Sequence, residues 1–286
     1  MIACYDLARC PPTYDAVAFL ALAEAERLRR GEEHIDVRIL PGPVGGFRAD
    51  SLWPRSVEER VALREQVLVP LCRLLPSVRS VVVEGDRRAE GWGKGEYFIG
   101  FQKIMEALRG GMRPLRGDVP DVGMQGYLTF TLREAAHHPL RNSREDEWVA
   151  AAQDLSKRGR KVLIIRDTIC ADEALKGAPE PILDAGLVAR DLKMRAFVYS
   201  NADLNVGISN GPMWMSIFMD APTLMLRPTT NRAGGCYDDK FYARFGLPRG
   251  GQLPTSPPHQ RLVWQEDTCE NIVRAVEEML SEVARA

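Results

Sequence analysis

The segment that most constrains the fold is residues 204–226, where an apolar run, a polar glycine turn, a helical pattern and a second apolar run follow one another. The pattern predicts strands over residues 204–208 and 223–226, with a helix that starts at Pro212 between them. Two parallel strands joined by a helix place the turn after the first strand at the carboxyl edge of a sheet. Backbone N–H groups and the positive end of the helix dipole stabilise an anion at such a turn. We therefore expect a phosphate-sized site formed by Ser209, Asn210, Gly211 and Pro212.

Segments typical of strands and of helices alternate along all 286 residues, which indicates an α/β protein with mainly parallel sheets. Glycine and proline interrupt every apolar pattern between residues 110 and 126, so we place a domain boundary there. The predicted domains are residues 1–115 and 116–286. Each contains a βαβ series, and we predict two Rossmann-like parallel-sheet domains that face a ligand cleft at the carboxyl ends of their strands.

The individual elements follow from apolar spacing and from helix start and stop signals. In the N-terminal half, strands are predicted over residues 1–5, 35–40 and 80–84, and helices over residues 14–30, 56–75 and 97–109. In the C-terminal half, further strands are predicted over residues 127–132 and 161–166, and helices over residues 143–159, 189–202 and 269–284. Gly31 is the predicted stop of the first helix, and Ser56 with Glu59 forms a predicted capping box.

A loop rich in arginine follows the predicted strand 127–132. Arg133, Arg141 and Arg144 fall within twelve positions, and Asn142 lies among them. Guanidinium groups bind phosphate oxygens in a bidentate manner. Because this loop and the Ser-Asn-Gly turn both follow strands of one parallel sheet, we expect them at the same edge, with Arg133, Arg141 and Asn142 contacting phosphate. The alternative is a solvated charged loop, and pairing with acidic neighbours is the competing interpretation for Arg144.

Two other residues of this half are candidates for the same site. Asp167 follows the predicted strand 161–166, where it could contact a nucleotide or cap the next segment. Arg195, in the predicted helix 189–202, could reach the ligand edge or form a structural salt bridge. The sequence leaves both choices open.

Three carboxylates of the N-terminal half are candidates for a general base that deprotonates an acceptor hydroxyl. Asp6 follows the first strand, Asp15 precedes the first helix, and Glu84 ends the third strand. For Asp15 the alternative is a helix N-cap. For Asp6 and Glu84 the alternative is a turn at the end of a strand.

Composition and missing motifs exclude several classes of protein. The 38 basic and 39 acidic residues argue against a general nucleic-acid binder. Six scattered cysteines without C-x-x-C spacing predict reduced thiols and no zinc framework. The sequence has no P-loop, no G-x-S-x-G elbow, no H-E-x-x-H and no D-x-D motif, so no metal site is predicted. A hydrolase triad with His137 or His138 lacks a convincingly placed serine.

The N-terminus becomes polar too early for a signal peptide, and no apolar run approaches the ~18 residues of a membrane span. We therefore expect a soluble, cytoplasmic protein without a transmembrane segment. The sequence does not decide the oligomeric state, and a homo-oligomer is compatible with it.

Residues 202–226 resemble the nucleotide-binding half of heptosyltransferase-like and fucosyltransferase-like enzymes of the GT-B fold. In that half, a strand, a small polar turn with Gly-Pro and a helix are followed by Ala-Pro and a second strand, here Ala221-Pro222. The loop from Arg133 to Arg144 is similar in placement to the arginine motif of α-1,6-fucosyltransferase-type enzymes, which holds the pyrophosphate of a guanosine nucleotide sugar. The likeness covers about the last 160 residues. Trp214 stands where heptosyltransferase-like members usually carry His, and the arginines are not adjacent as in the fucosyltransferase motif.

The resemblance implies a metal-independent glycosyltransferase of bacterial surface-polysaccharide or other glycan biosynthesis. It would use a nucleotide-diphosphate sugar as donor, with GDP favoured as the nucleotide, a glycan or small molecule as acceptor, and no further cofactor. The C-terminal domain would bind the donor and the N-terminal domain the acceptor. Two alternatives stay open, a sugar-nucleotide 2-epimerase or hydrolase and a non-catalytic nucleotide-sugar-binding protein.

Overall fold

The computed structural model describes residues 1–49, 56–116, 126–135, 139–228 and 239–283, apart from the side chains of residues 169 and 283. The chain divides into two compact units, Met1–Arg116 and Gly117–Ala286. Each unit contains a parallel β-sheet with helices between successive strands, so the predicted α/β class is confirmed. Within the described residues, no helix combines the length and the apolar character that a membrane crossing requires.

The first unit is built on three parallel strands in the order β1-β2-β3. The strands are β1 (Ile2–Asp6), β2 (Ile35–Leu40) and β3 (Val78–Val83). Helix α1 (Ala16–Arg30) joins β1 to β2, and α4 (Phe101–Arg109) follows β3. Between β2 and β3 the chain forms α2 (Val57–Leu63), a π-helical segment (Arg64–Leu68) and α3 (Val69–Cys72).

The helix ends in this unit follow from particular residues. Gly31 adopts a left-handed φ of 68° and ends α1, and its N–H donates to the carbonyls of Arg27 and Leu28. The predicted capping box is formed: Ser56 Oγ accepts from the Glu59 N–H and the Glu59 carboxylate accepts from the Ser56 N–H. Helix α4 begins later than predicted because Gly100, with a φ of 87°, is not helical.

The charged glycine-rich loop after β3 returns to the sheet. Cys4 N–H donates to the Trp92 carbonyl at 2.7 Å, and Trp92 N–H donates to the Ile2 carbonyl at 3.1 Å. A Cβ at Gly91 would lie 2.8 Å from the Ile2 carbonyl oxygen, so only glycine fits this close approach. The sequence did not predict this pairing, because a two-residue contact has no periodic pattern.

The second unit is built on five parallel strands in the order β5-β4-β6-β7-β8. The strands are β4 (Tyr127–Thr131), β5 (Lys161–Ile165), β6 (Leu204–Ile208), β7 (Thr223–Leu226) and β8 (Gln260–Val263). The helices are α5 (Glu145–Lys157), α6 (Ala185–Arg190), α7 (Leu192–Asn201), α8 (Gly211–Phe218), α9 (Asp239–Arg244) and α10 (Cys269–Val283). The chain runs outward from β4 to β5 and then crosses back to β6, so the strand order reverses between β4 and β6.

The two faces of the five-stranded sheet differ in polarity. One face carries Leu128, Phe130, Val206 and other apolar residues that pack against α5 and α10, with Phe130 edge-on to Trp148 at 5.1 Å. On the other face, Thr129 donates to Asn205 Oδ1 at 2.7 Å in the buried interior. Buried polar groups that have partners fix the relative position of their strands.

Helix α9 and strand β8 of this unit were not predicted, and neither was the start of α6 over residues 185–188. The predicted helix 189–202 is in fact two helices, because Asp191 is extended between them (φ −96°, ψ 109°). Its carboxylate accepts from the N–H groups of Lys193 and Met194 and so caps α7.

Candidate functional site

The register of the five-stranded sheet places the candidate residues in one row. Thr131 of β4 is level with Ile165 of β5 and with Gly207 of β6. Gly207 is level with Met225 of β7, which is level with Leu262 of β8. Two positions further along each strand, the row at the carboxyl edge is Asp167, Arg133, Ser209, Arg227 and Trp264. Because neighbouring strands lie ~5 Å apart, a ligand of nucleotide size spans several members of this row.

The centre of the row lies where the strand order reverses. Arg133 follows β4 and Ser209 follows β6, the two strands that flank the reversal. In open α/β sheets, ligands bind outside the carboxyl ends of the strands at this point. The sheet topology therefore marks the position between Arg133 and Ser209 as the candidate binding site of this unit.

Arg133 is fixed by its own loop. Its side chain is 5% exposed, and its Nη1 donates to Asn142 Oδ1. Asn142 Nδ2 in turn donates to the Ala135 carbonyl at 3.1 Å, and the backbone N–H of Arg133 donates to Ser143 Oγ at 2.9 Å. These contacts hold the guanidinium in one orientation, so Asn142 acts as a support of Arg133.

Arg141 joins the arginine loop to the Ser-Asn-Gly turn. It ends a 3-10 turn (Pro139–Arg141), and its Nη2 lies 3.5 Å from the Ser209 carbonyl oxygen, a long hydrogen bond. The predicted common edge of the two loops is therefore present within this unit. His137 and His138, which lie in the same loop, are outside the described residues.

The Ser-Asn-Gly turn starts helix α8 as an N-cap. Asn210 is extended (φ −145°, ψ 176°), and its Oδ1 accepts from the Met213 N–H at 2.9 Å. Pro212 stands in the first turn and contributes no N–H. All four residues from Ser209 to Pro212 are partly exposed. Asn210 Oδ1 already binds the Met213 amide, and the positive end of the helix dipole at this turn attracts an anion.

A glycine is required beside this turn. A Cβ at Gly207 would lie 2.9 Å from the Thr131 carbonyl oxygen and 2.8 Å from Met213 Sδ. The missing side chain lets β4, β6 and α8 approach one another closely. The spacing of Arg133 and Ser209 depends on that approach.

Asp167 lies at the β5 end of the row. Its N–H donates to Glu134 Oε2 at 3.0 Å, and its side chain makes no capping bond to the 3-10 turn (Thr168–Cys170) that follows. The carboxylate of Glu134 also binds Arg166, whose Nε lies 2.9 Å from Oε1. The hydrogen bond to Glu134 is the main reason that the pKa of Arg166 lies above its usual value.

Arg195 and Arg144 have structural contacts. Arg195, predicted as a possible ligand contact, is 2% exposed and donates to the carbonyls of Val188 (3.2 Å) and Ala189 (2.9 Å) at the end of α6. These bonds tie α6 to α7 and favour a structural role, because both acceptors are backbone carbonyls of α6. Arg144 pairs with Glu266 at 3.2 Å and lies 3.8 Å from Asp267. These acidic partners are more than 120 residues away in the sequence and do not belong to the helix that follows Arg144.

Arg227 and Trp264 belong to the same row and were missed by the sequence analysis. The Arg227 guanidinium lies 3.8 Å from the centre of the Tyr242 ring and 5.8 Å from that of Trp264. A signal was available for Arg227, because an arginine directly follows the second strand of the βαβ unit. None was available for Trp264, since β8 was not predicted.

At the carboxyl edge of the first sheet, the Asp6 carboxylate is buried and hydrogen-bonded to other groups of the first unit. The carboxylate is 0% exposed, both of its oxygens accept from Arg87 at 2.6 Å, and it also accepts from the N–H groups of Ala8 and Gly95. Burial acts to raise the pKa of Asp6, but these hydrogen bonds outweigh it and the pKa lies below its usual range. These contacts favour a structural role over the predicted base.

Asp15 differs from Asp6 in its contacts and in the direction of its pKa shift. It stands at the N-cap position of α1, yet its side chain does not cap the helix; it accepts from Thr13 Oγ1 at 2.7 Å and from the Gly100 N–H at 3.4 Å. Burial raises its pKa above the usual range, and those two hydrogen bonds oppose the rise only in part. Glu84, the third candidate, pairs with Arg38 at 3.3 Å and is 26% exposed.

Among the described residues, no group of three His, Cys, Asp or Glu side chains is placed to hold a metal ion. No protein-family model matches the chain, and no curated protein sequence does.

Several solved structures of glycosyltransferases are similar to the chain. The iron-containing dodecameric glycosyltransferase TibC from enterotoxigenic E. coli is 12% identical, over 99% of this chain and 76% of that chain, with a TM-score of 0.51. A glycosyl transferase of family 9 from Veillonella parvula is 12% identical over 98% and 97% of the two chains (TM-score 0.47). The E. coli heptosyltransferase WaaC with ADP is 13% identical over 99% of each chain (TM-score 0.43). At such identities, the similarity to TibC shows the fold alone: the chain shares the α/β fold of that protein.

Proposed function

We propose that this protein is a metal-independent glycosyltransferase that uses a nucleotide-diphosphate sugar as its donor. The observation that carries the proposal is the reversal of strand order between β4 and β6, with Arg133 and the Ser209 turn on either side of it. Fixed guanidinium groups and a helix N-terminus at that position suit a diphosphate. The fold shared with TibC is consistent with this chemistry, and by itself it does not assign it.

In this proposal the arginines replace the charge of a metal ion. As the bond between the anomeric carbon and the diphosphate oxygen breaks, negative charge develops on the leaving nucleoside diphosphate. Asn142 holds the Arg133 guanidinium in one orientation, so this group need not reorganise when the charge develops. Arg141, next to the Ser209 carbonyl, and the N-terminus of α8 add to the same stabilisation.

We assign the general base to Asp15 of the first unit. A base works best when its pKa lies near the working pH, and burial raises the pKa of Asp15 towards that range. Asp15 would take the proton of an acceptor hydroxyl, whose oxygen then forms the new bond to the anomeric carbon. The first unit would bind the acceptor, a glycan or a small molecule, and the second unit the donor.

The test has two steps. First, a thermal-shift screen of GDP, UDP, ADP, CMP and their sugars identifies the donor, because a ligand of the folded state raises the melting temperature. The similarity to the fucosyltransferase arginine motif favours GDP. Second, transfer is measured with that donor and a panel of acceptors, with and without EDTA.

We expect transfer that requires an acceptor and survives EDTA. Loss of activity in EDTA would contradict metal independence. Consumption of the donor without any acceptor would instead indicate an epimerase or hydrolase. Binding of a donor with no turnover in any combination would indicate a non-catalytic binding protein.

A further inference from the structure

The carboxyl edge of the second sheet carries a positive residue on the far side of the Ser209 turn from Arg133. Arg227 is the first residue after β7, and its N–H donates to the Val263 carbonyl at 2.7 Å, which continues the pairing of β7 with β8. Because Ile208 is level with Leu226, Arg227 stands beside Ser209. Arg133 and Arg227 therefore flank the turn from the two neighbouring strands.

Two aromatic rings hold the Arg227 side chain. The Tyr242 and Trp264 rings are nearly perpendicular, at 85°, with their centres 5.8 Å apart. The guanidinium lies in the corner between them, 3.8 Å from the centre of the Tyr242 ring. Tyr242 is itself buried, at 3% exposure, and Trp264 Nε1 donates to the Gly251 carbonyl at 2.8 Å, so both rings are fixed.

This arrangement restricts the guanidinium before any ligand arrives. An arginine side chain that is already ordered loses less conformational entropy when it binds an anion. Contact with an aromatic face stabilises a guanidinium while leaving its formal positive charge in place. Arg227 is partly exposed, so a ligand at the edge of the sheet can reach it.

We propose that Arg227 is a binding residue for the diphosphate of the donor, on the opposite side of the Ser209 turn from Arg133. Tyr242 and Trp264 are positioning residues that act through it. The inference rests on the proposed function and extends it, because it assigns a second guanidinium contact from a different strand. The two arginines would bind the diphosphate from both sides of the turn.

The experiment compares Arg227→Gln, Arg227→Lys and wild-type protein. The control is Arg261→Gln, which removes the same charge. Arg261 lies on β8, away from the carboxyl end of the strand, and forms an exposed ion pair with Glu282. For the full chain, the dissociation constant is measured by calorimetry for whichever of ADP, GDP and UDP gives the largest thermal shift. The corresponding nucleoside is measured in parallel, as a competitor if it binds weakly.

We expect Arg227→Gln to weaken the nucleoside diphosphate about 10- to 100-fold, as is typical for loss of a charge-assisted hydrogen bond. Nucleoside binding should change less than about two-fold, and Arg261→Gln should match the wild type. Arg227→Lys keeps the charge but loses the planar fork, so an intermediate loss is expected. A merely structural role for Arg227 would weaken nucleoside and diphosphate alike, and this result would overturn the proposal.

An unchanged diphosphate affinity in both Arg227 variants would also overturn it. If Arg227→Gln does not fold, the diphosphate-to-nucleoside ratio of Arg227→Lys decides in the same way. The proposed function fails separately. If wild-type protein binds none of the three diphosphates, both proposals fall, whereas binding that is sensitive to Arg133 but not to Arg227 removes only the inference about Arg227.

Discussion

The carboxyl edges of the two sheets use arginine in different ways. In the first unit, Arg87 neutralises the buried carboxylate of Asp6, so the charged pair serves the fold. In the second unit, the described contacts of Arg133 and Arg141 include the oxygens of Asn142 and Ser209, which carry no formal charge. A carboxylate partner compensates most of the charge of a guanidinium, whereas a hydrogen bond to a neutral oxygen compensates less of it. The partner of an arginine therefore indicates whether that arginine can bind a ligand better than its position at an edge does.

The largest effect is expected at Asp15, whose hydrogen bonds within the described residues come from Thr13 and Gly100 and not from an arginine. Asp15→Asn should lower the transfer rate about 10²- to 10⁴-fold, the usual contribution of a general base. Donor affinity should not change, and this is measured by calorimetry beside the steady-state rate. A variant that keeps more than a tenth of the wild-type rate would remove Asp15 from catalysis.

The raised pKa of Asp15 also predicts the pH dependence. The rate should fall as pH drops through the raised pKa, so the acid limb lies above the ordinary aspartate value of about 3.9. The folded state binds the Asp15 proton more tightly than the unfolded state does. The free energy of unfolding therefore falls as pH rises from the unfolded pKa of this carboxyl towards its folded pKa. Asp15→Asn should abolish this contribution to the pH profile of unfolding.

A second test concerns the arginine of the second edge. Arg133→Gln should weaken the donor about 10- to 100-fold, because it removes a charge-assisted contact worth about 1.5–3 kcal/mol. The matched control is Arg158→Gln at the C-cap of α5, where the exposed arginine pairs with Asp154 one turn away. Equal affinities of the two variants would show that Arg133 lies outside the site.

The ion pair of the first edge should act on stability alone. Asp6→Asn should lower the free energy of unfolding by about 2 kcal/mol, because it weakens several hydrogen bonds to a charged group. Denaturant titration measures the change. Since the folded pKa of Asp6 is depressed, its stabilisation is present above the unfolded pKa and is lost as pH falls through the folded one. A folded variant with reduced donor affinity would contradict the structural role.

The smallest effect is expected at Arg144, which follows the same loop as Arg133 and Arg141 and pairs with carboxylates. Arg144→Gln should change donor affinity less than two-fold and stability by less than about 1 kcal/mol, because its side chain is 39% exposed and its ion pairs are screened by solvent. Calorimetry measures the donor affinity, and denaturant titration measures the stability. Weakened binding comparable to that of Arg133→Gln would place Arg144 in the donor site as well.

Much of the fold could be predicted from the sequence, because long apolar periods determine it. β2, β6 and β7 occur where predicted, and Gly31 and the Ser56 capping box mark helix ends correctly. The break at Asp191 was missed because a capping carboxylate inside an amphipathic pattern looks like an ordinary exposed residue. The short β8 was missed because four residues of mixed polarity do not form a distinct period.

The site could be predicted only in part. The shared edge of Arg141 and Ser209 followed from the rule that parallel strands end on one side. Sequence alone could not distinguish Asp6 from Asp15, since their difference lies in a partner, Arg87, some 80 residues away. The two alternatives for Arg195 stayed open for the same reason: a helical arginine can point to the edge or into the protein, and only packing decides which.

The pairing of β4 with β6 has a consequence for folding. Thr129 and Asn205, which join these strands, are 76 residues apart in the sequence, and a whole strand with its helices intervenes. Contacts of such separation close a long loop and form late, at an entropic cost. An anion that bridges Arg133 and Ser209 would therefore recognise only molecules in which this pairing is complete. Amide hydrogen exchange in β4 and in β6 should slow together when such an anion is added. Protection by a nucleotide would then report that the two strands are paired.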